Sequence, residues 1–316
     1  MFHDAFYMPY APKRAWGLFD ASGHPIRSAV DFRAPNVCTY DQLLEVGFAS
    51  DLVAYEAAAG TYIYGGTINL HFGHFLINTL PRFWNISRIR TPNTRILCHS
   101  SSAPDVWFNF PFISRAFALL GLTKRDFVVL DRPTRLRNVV VAGTSLEEQQ
   151  AGYRAYGRFG REIGSRIYKP DDVDQNTVPI YYSKSRLRSS VGIITNEAEI
   201  EDVLRDQGVD IIHPETLSLD EQVRLMSSRT SIMGSTGSFF HTSIFCPPRR
   251  ITCLNVTSQI NSNYVIIDAL AANAATYHYP DSMQVLDQMD GYLTARFLPN
   301  AADVALELFD LARSKS

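Results

Sequence analysis

The chain is poor in cysteine, with four in 316 residues. Cys38, Cys98, Cys246 and Cys253 form no CxxC pair and no dense spacing, which excludes a disulfide framework, a thioredoxin-type redox motif and a cysteine zinc site, and suits reduced thiols packed as small hydrophobes. Excess charge is also lacking: 30 Lys and Arg face 32 Asp and Glu, a formal net charge of −2. No global basic field therefore exists to hold nucleic acid or an anionic membrane by charge alone, and an anionic ligand must be held by local arrangement. No apolar run approaches the roughly 18 residues of a membrane span, and the opening MFHDAFYMPYAPKRAWG lacks the charged-then-apolar order of a signal peptide. The expectation is a soluble protein of a reducing cytoplasm, with peripheral contact at the inner face of the membrane left open. GxGxxG, GxxxxGK[ST] and GxSxG are all absent, so nicotinamide, P-loop and serine-hydrolase chemistries have no sequence support.

What is present is aromatic and alternating. Fifteen Tyr, 19 Phe and 3 Trp supply flat faces that cores, interfaces and sugar sites all use. The length fits two domains better than one core. Residues 1–60 are proline-punctuated and yield few elements: VDF, VCTY and LVAYEAAAG. From His74 to Ile89 the recurrence of Leu76, Leu80 and Phe83 predicts a helix, kinked where Pro81 removes a hydrogen bond. TRILCHS, DFVVL and LRNVVVAG read as strands, and FISRAFALLGL as a helix ending at Gly121. Gly160 to Val178 is polar and acidic and reads as a linker. Beyond it, short apolar strands (VPIYYS, VDIIHP, SIMG, RITCLNV) alternate with helices, the pattern of a parallel sheet covered on both faces. The expected domains are 1–170 and 171–316. Asn196 with Glu199, and Ser218 with Glu221, fit helix-capping pairs, which gives both glutamates structural duties.

Four constellations carry chemistry. His74, Asn78 and Arg82 are spaced i, i+4, i+8 and share one stripe of the predicted helix, the wall of a cleft or else a packed, solvated and ion-paired set. YYSKSRLRSS puts Lys184, Arg186 and Arg188 just after a strand, where open α/β sheets gather ligands, or on a solvated face. MGSTGSFFHTSIF reads strand, glycine turn, helix: the amides at Gly237 and Ser238 suit a phosphate, and His241 lies one turn on, near the ligand or in the core. Glu215, after the strand VDIIHP, can accept both hydroxyls of a ribose or serve as a turn acid. Two patterns are set aside. His71 and His74 form HxxH without a third ligand, and Asp172-Val-Asp174 follows no strand, so no metal and no cofactor is expected.

FGHFLINTLPRFW, YYSKSRLRSS with the following NEAEIEDVLRDQGVDIIHPETLSLDEQ, and MGSTGSFFHTSIF together resemble the glycosyltransferase 61 family, particularly its bacterial branch associated with capsular and other surface polysaccharides. The resemblance implies an α/β, GT-B-like architecture of two Rossmann-like domains facing across a cleft, acceptor on the first and nucleotide sugar on the second. It also implies inversion at the anomeric carbon without an obligatory metal, and a last helix, about 301–313, that packs back on the first domain. On that basis His74 is the expected base, with Asn78 and Arg82 placing acceptor or base. Lys184, Arg186, Glu215, Gly237, Ser238 and His241 are expected to bind the donor, a UDP-sugar being favoured, and the expected acceptor is a glycan or lipid-linked acceptor. Two departures stand out: Ser183-Lys184 replaces the more usual serine-arginine, and Thr236-Gly237 stands where many members carry histidine-glycine. A non-catalytic nucleotide-sugar or glycan-binding protein on the same fold is the rival reading.

Overall fold

The computed structural model describes residues 1–35, 37–44, 55–58, 60–187, 191–288 and 294–314. It divides into two compact units, Met1–Phe159 and Gly160–Ser316, both mixed α/β.

In the first unit the strands are β1 (Phe2–Met8), β2 (Gly17–Phe19), β3 (Tyr55–Glu56), β4 (Thr61–Thr67), β5 (Arg95–His99), β6 (Phe127–Val128) and β7 (Thr134–Val140). They form one sheet in the order β2-β1-β7-β4-β5-β6, with β3 also on β7. The run β7-β4-β5-β6 is parallel, whereas β1 is antiparallel to both its neighbours. The expected wholly βαβ-like alternation is thus extended by a hairpin that the proline-rich start concealed. Side chains of Ala5, Tyr7, Tyr62, Tyr64, Leu97 and Leu136 meet in one core, as the period of two along each strand requires. A short hairpin follows, β8 (Leu146–Glu147) with β9 (Ala151–Gly152).

The segment expected as one kinked α-helix is wound three ways. It runs as α1 (Phe72–His74), a π-turn (Phe75–Thr79), a 3₁₀ turn (Leu80–Phe83) and α2 (Ile86–Ile89). Pro81 has no amide hydrogen, and the chain responds with a wide turn before it rather than a simple bend. Backbone carbonyls released by this winding take side-chain donors instead: Leu76 O accepts from the Tyr156 hydroxyl, and Pro81 O from Ser145 Oγ at 2.7 Å. Beyond it, Phe83 and Phe127 close on Phe117 at ring separations of 5.0 and 4.6 Å; Phe117 belongs to α4 (Pro111–Leu119), which follows α3 (Pro104–Trp107).

The expected linker is helical at its start. Helix α5 (Arg154–Gly164) carries Phe159 and Ile163, which are buried together with Ile167, a spacing of four hidden among arginines and glycines. The glycines are required by close approach: a Cβ on Gly160 would meet Ile244 O at 2.4 Å.

In the second unit β10 (Ile180–Tyr182), β12 (Asp210–Ile212), β13 (Ile232–Ser235), β14 (Arg250–Leu254) and β15 (Ala274–His278) form an all-parallel sheet in the order β12-β10-β13-β14-β15. Counted within the unit this is 2-1-3-4-5, a doubly wound order whose switch point lies between β10 and β13. Between β10 and β12 comes α6 (Glu197–Asp206), and before β13 comes α7 (Leu219–Ser228). A 3₁₀ helix (Ser238–Phe245) follows β13, and α8 (Ser262–Ala271) precedes β15. The last helix, α9 (Ala301–Arg313), was expected to pack on the first unit. Within the second unit it buries Val304, Ala305, Leu308 and Phe309 against Ile200 and Leu204 of α6, because its apolar stripe completes that face of the second sheet. A small sheet of β11 (Ile193–Ile194), β17 (Thr294–Phe297) and β16 (Gln284–Gln288) has no counterpart in the sequence reading. Among the described residues no helix is long and apolar enough to cross a membrane.

Candidate active site

In the first unit the site grows from α1 and the π-turn. His74 Nδ1 lies 2.9 Å from Asn78 Oδ1, and Asn78 Nδ2 donates to Glu148 Oε2 at 3.0 Å. Glu148, missed by the sequence reading, sits in the β8–β9 turn, which the left-handed Gln149 (φ 60°) makes possible. Its other oxygen is 3.1 Å from Arg33 Nε. The chain His74–Asn78–Glu148 fixes a tautomer. A carboxylate only accepts, so Asn78 must turn its NH₂ toward Glu148 and its oxygen toward His74. The imidazole then carries its proton on Nδ1, and Nε2 keeps a lone pair. His74 is half-buried; His99 is fully buried and bonded on both nitrogens, to Tyr64 and Met8 O, and burial, with the Arg82 charge adding to it, holds its pKa down to about 3.

Arg82 does not join this pair. It turns into the interior, where Nε and Nη2 both reach Asp31 Oδ1, at 2.9 and 2.6 Å, and the carbonyls of Ser28, Val30 and Ala142 take the remaining protons. Burial opposes its charge, but Asp31 more than offsets this and the net shift is upward. Gly66 (φ +78°) leaves room for it, since a Cβ there would fall 2.2 Å from Arg82 Cδ. Placing acceptor or base is therefore not a duty its contacts allow. The winding of the π-turn and 3₁₀ turn takes Arg82 off the stripe that a regular helix would have given it.

In the second unit, the loops after β10 and β13 bring Lys184 and Gly237 together: a Cβ on Gly237 would lie 3.5 Å from Lys184 Cδ. The same Cβ would be 2.6 Å from Phe239 Cε1, so the turn demands glycine by contact, not by φ. Gly237 caps the 3₁₀ helix rather than the α-helix expected, and the first amides at its start lack acceptors within the helix. Lys184 is buried and its Nζ donates to the carbonyls of Val191 and Gly192 at 3.2 and 3.0 Å. Burial, only partly offset by Glu197, lowers its pKa to about 8. It is a clamp on the loop rather than an open phosphate ligand. Arg186 is exposed, and among the described residues nothing engages its guanidinium; Arg188 lies outside them. Below the loop, Glu197 takes Tyr181 Oη and Ser235 Oγ at 2.9 and 2.6 Å, and Glu201 takes Ser183 Oγ at 2.6 Å.

The glycosyltransferase 61 family model matches residues 72–254, more than half of the chain. The chain belongs to the glycosyltransferase 61 family. It is therefore a glycosyltransferase, an enzyme that carries a sugar from a donor to an acceptor. No curated protein matches its sequence.

In the glycosyltransferase, Glu215 is exposed in the 3₁₀ turn that follows β12, next to β10 in the sheet. His241 is buried and stacks on Tyr264 of α8 at 4.9 Å. Ser218 and Glu221 form the expected capping box. Asn196 does not cap with Glu199, because its amide bonds Leu298 on both sides. Asp174 is ion-paired with Arg249 at 2.6 Å, and among the described residues no cluster of three His, Cys, Asp or Glu side chains is arranged for a metal.

Proposed function

We propose that the enzyme catalyses a single, inverting displacement from a nucleoside diphosphate sugar, UDP-linked by preference, to a hydroxyl of a glycan or lipid-linked glycan, without a metal. The observation that carries this is the His74–Asn78–Glu148 chain, which leaves Nε2 as a positioned base. Nε2 takes the acceptor proton as the acceptor oxygen bonds to the anomeric carbon. The bond from that carbon to the diphosphate oxygen breaks, and its electron pair leaves with the nucleotide. Arg186 and the amides at Gly237 and Ser238, at the switch point of the second sheet, suit the charge that develops there. No carboxylate in the network is offered as a nucleophile, since both Glu148 oxygens face protein groups, which favours one step over two. In the division of labour that GT-B enzymes use, the first unit takes the acceptor and the second the donor. A role in bacterial surface polysaccharide synthesis at the cytoplasmic face of the membrane fits this chemistry.

The test is calorimetry and thermal shift with UDP, GDP, ADP, CMP and their sugar conjugates, with and without EDTA, followed by NMR of the product anomer. Selective stabilisation by one diphosphate, unaffected by EDTA, and an inverted product are expected. Full turnover by His74→Ala, with donor still bound, would remove the base from the scheme.

A further inference from the structure

The first unit contains a cavity of about 870 Å³ that none of the expected site residues lines. Its walls include Trp84, Tyr153, Phe32, Arg27, Glu147 and Gln150. Three features make it a built site. Two lining rings are anchored by their polar atoms: Trp84 Nε1 is tied to Gly143 O at 3.1 Å, and the half-exposed Tyr153 donates its hydroxyl to Glu147 Oε1 at 3.1 Å. The Arg27 guanidinium carbon lies over the Phe32 ring, 4.8 Å from its centroid, a cation–π contact within the wall. Finally, Gln150 Nε2 is buried without a hydrogen-bond partner among the described residues, a donor whose desolvation is uncompensated until something accepts from it.

We propose that this cavity is a carbohydrate-binding subsite that holds the non-reacting sugars of the acceptor; this rests on the transferase reading above. Aromatic faces receive the C–H faces of a pyranose, and carboxylate, amide and guanidinium planes bridge vicinal hydroxyls in pairs. With one acid and one base in the wall it has no excess positive charge for a diphosphate. Its volume is at the upper end of the roughly 300–1,000 Å³ usual for small-molecule sites, which suits the end of an oligosaccharide rather than one monosaccharide. The site is also tied to the base. Glu147 and Gln150 flank Glu148 in the β8–β9 turn, and Phe32 precedes Arg33, which pairs with Glu148. Filling the cavity would therefore press on the elements that orient His74.

The experiment uses the full chain on an array of oligosaccharides of hexoses, N-acetylhexosamines, deoxyhexoses, pentoses and uronic acids, followed by titration of the best binder with tryptophan emission as readout. Trp16 and Trp107 are buried, so Trp84 reports. An emission change is expected in the wild type; calorimetry, which does not need the Trp84 reporter, should show affinity reduced about ten-fold or more in Trp84→Ala and Tyr153→Ala but retained in Trp84→Phe. UDP binding and the thermal midpoint stay as in the wild type. Glycan binding unchanged in both alanine variants overturns the proposal, as does a chain that binds a nucleoside diphosphate but no glycan. Trp84-dependent glycan binding without transfer from any nucleotide sugar supports the subsite and instead defeats the catalytic scheme.

Discussion

Replacing Asn78 by alanine separates a positioned base from a histidine that merely happens to be near. Asn78 makes one bond to His74 at 2.9 Å and one to Glu148 at 3.0 Å. With a neutral imidazole the first bond is worth about 1 kcal/mol; when the ring takes the acceptor proton it becomes charge-assisted, worth about 1.5–3 kcal/mol. Only the difference, about 0.5–2 kcal/mol, is specific to the transition state, or roughly 2- to 30-fold in rate. Losing the tautomer preference adds a factor of about two, since either ring nitrogen can then hold the proton. We expect kcat to fall about 5- to 50-fold, with KM for donor and acceptor within a factor of about two. The variant also leaves Glu148 Oε2 buried and unpaired, a stability loss of about 1–3 kcal/mol that thermal unfolding would register. Initial-rate kinetics of sugar transfer, run beside Asn78→Ala/Glu148→Gln, complete the test: the double variant should be no slower than Asn78→Ala, because Glu148 acts through Asn78. An Asn78→Ala enzyme with unchanged kcat and intact fold, or strictly additive losses, would refute the relay.

Arg82→Met should cost about 3–5 kcal/mol in denaturant unfolding, because it strands the buried Asp31 carboxylate and three carbonyls; a variant as stable as the wild type would restore Arg82 to the candidate acceptor contacts. Lys184 has a folded pKa of about 8, depressed below its unfolded value. The unfolded chain therefore binds more protons between pH 8 and 10.5, so stability rises with pH in that window, and the cost of charging Lys184 is fully present below pH 8. Relative to Lys184→Met, the wild type should gain on the order of 2 kcal/mol between pH 8 and 10; parallel curves for the two proteins would contradict this. Gly237→Ala forces the Phe239 ring aside and should weaken nucleotide binding about ten-fold, with about 1–3 kcal/mol lost in stability; calorimetry with UDP decides.

The sequence by itself determined the second sheet: VPIYYS, VDIIHP, SIMG and RITCLNV all became adjacent parallel strands, because a strand buried on both faces is a continuous apolar run bounded by turns. It also picked out His74 and Asn78, which any helical winding of near-regular pitch leaves one turn apart. It did not determine Arg82's place, since a π-turn forced ahead of Pro81 rotates everything after it, and no local pattern announces a change of pitch. Nor could it find Glu148, 70 positions from Asn78, or Glu197 and Glu201, which look like any surface carboxylates on an acidic helix until the strand ends of β10 and β13 are laid against them. The amphipathic α5 was hidden because glycines that let a helix approach another backbone read locally as linker. Helix α9 advertised an apolar stripe but not what would cover it. Local periodicity records what each segment must bury; which distant side chain meets which is decided only when the sheets close, because partnership depends on loops and register that carry no periodic signal.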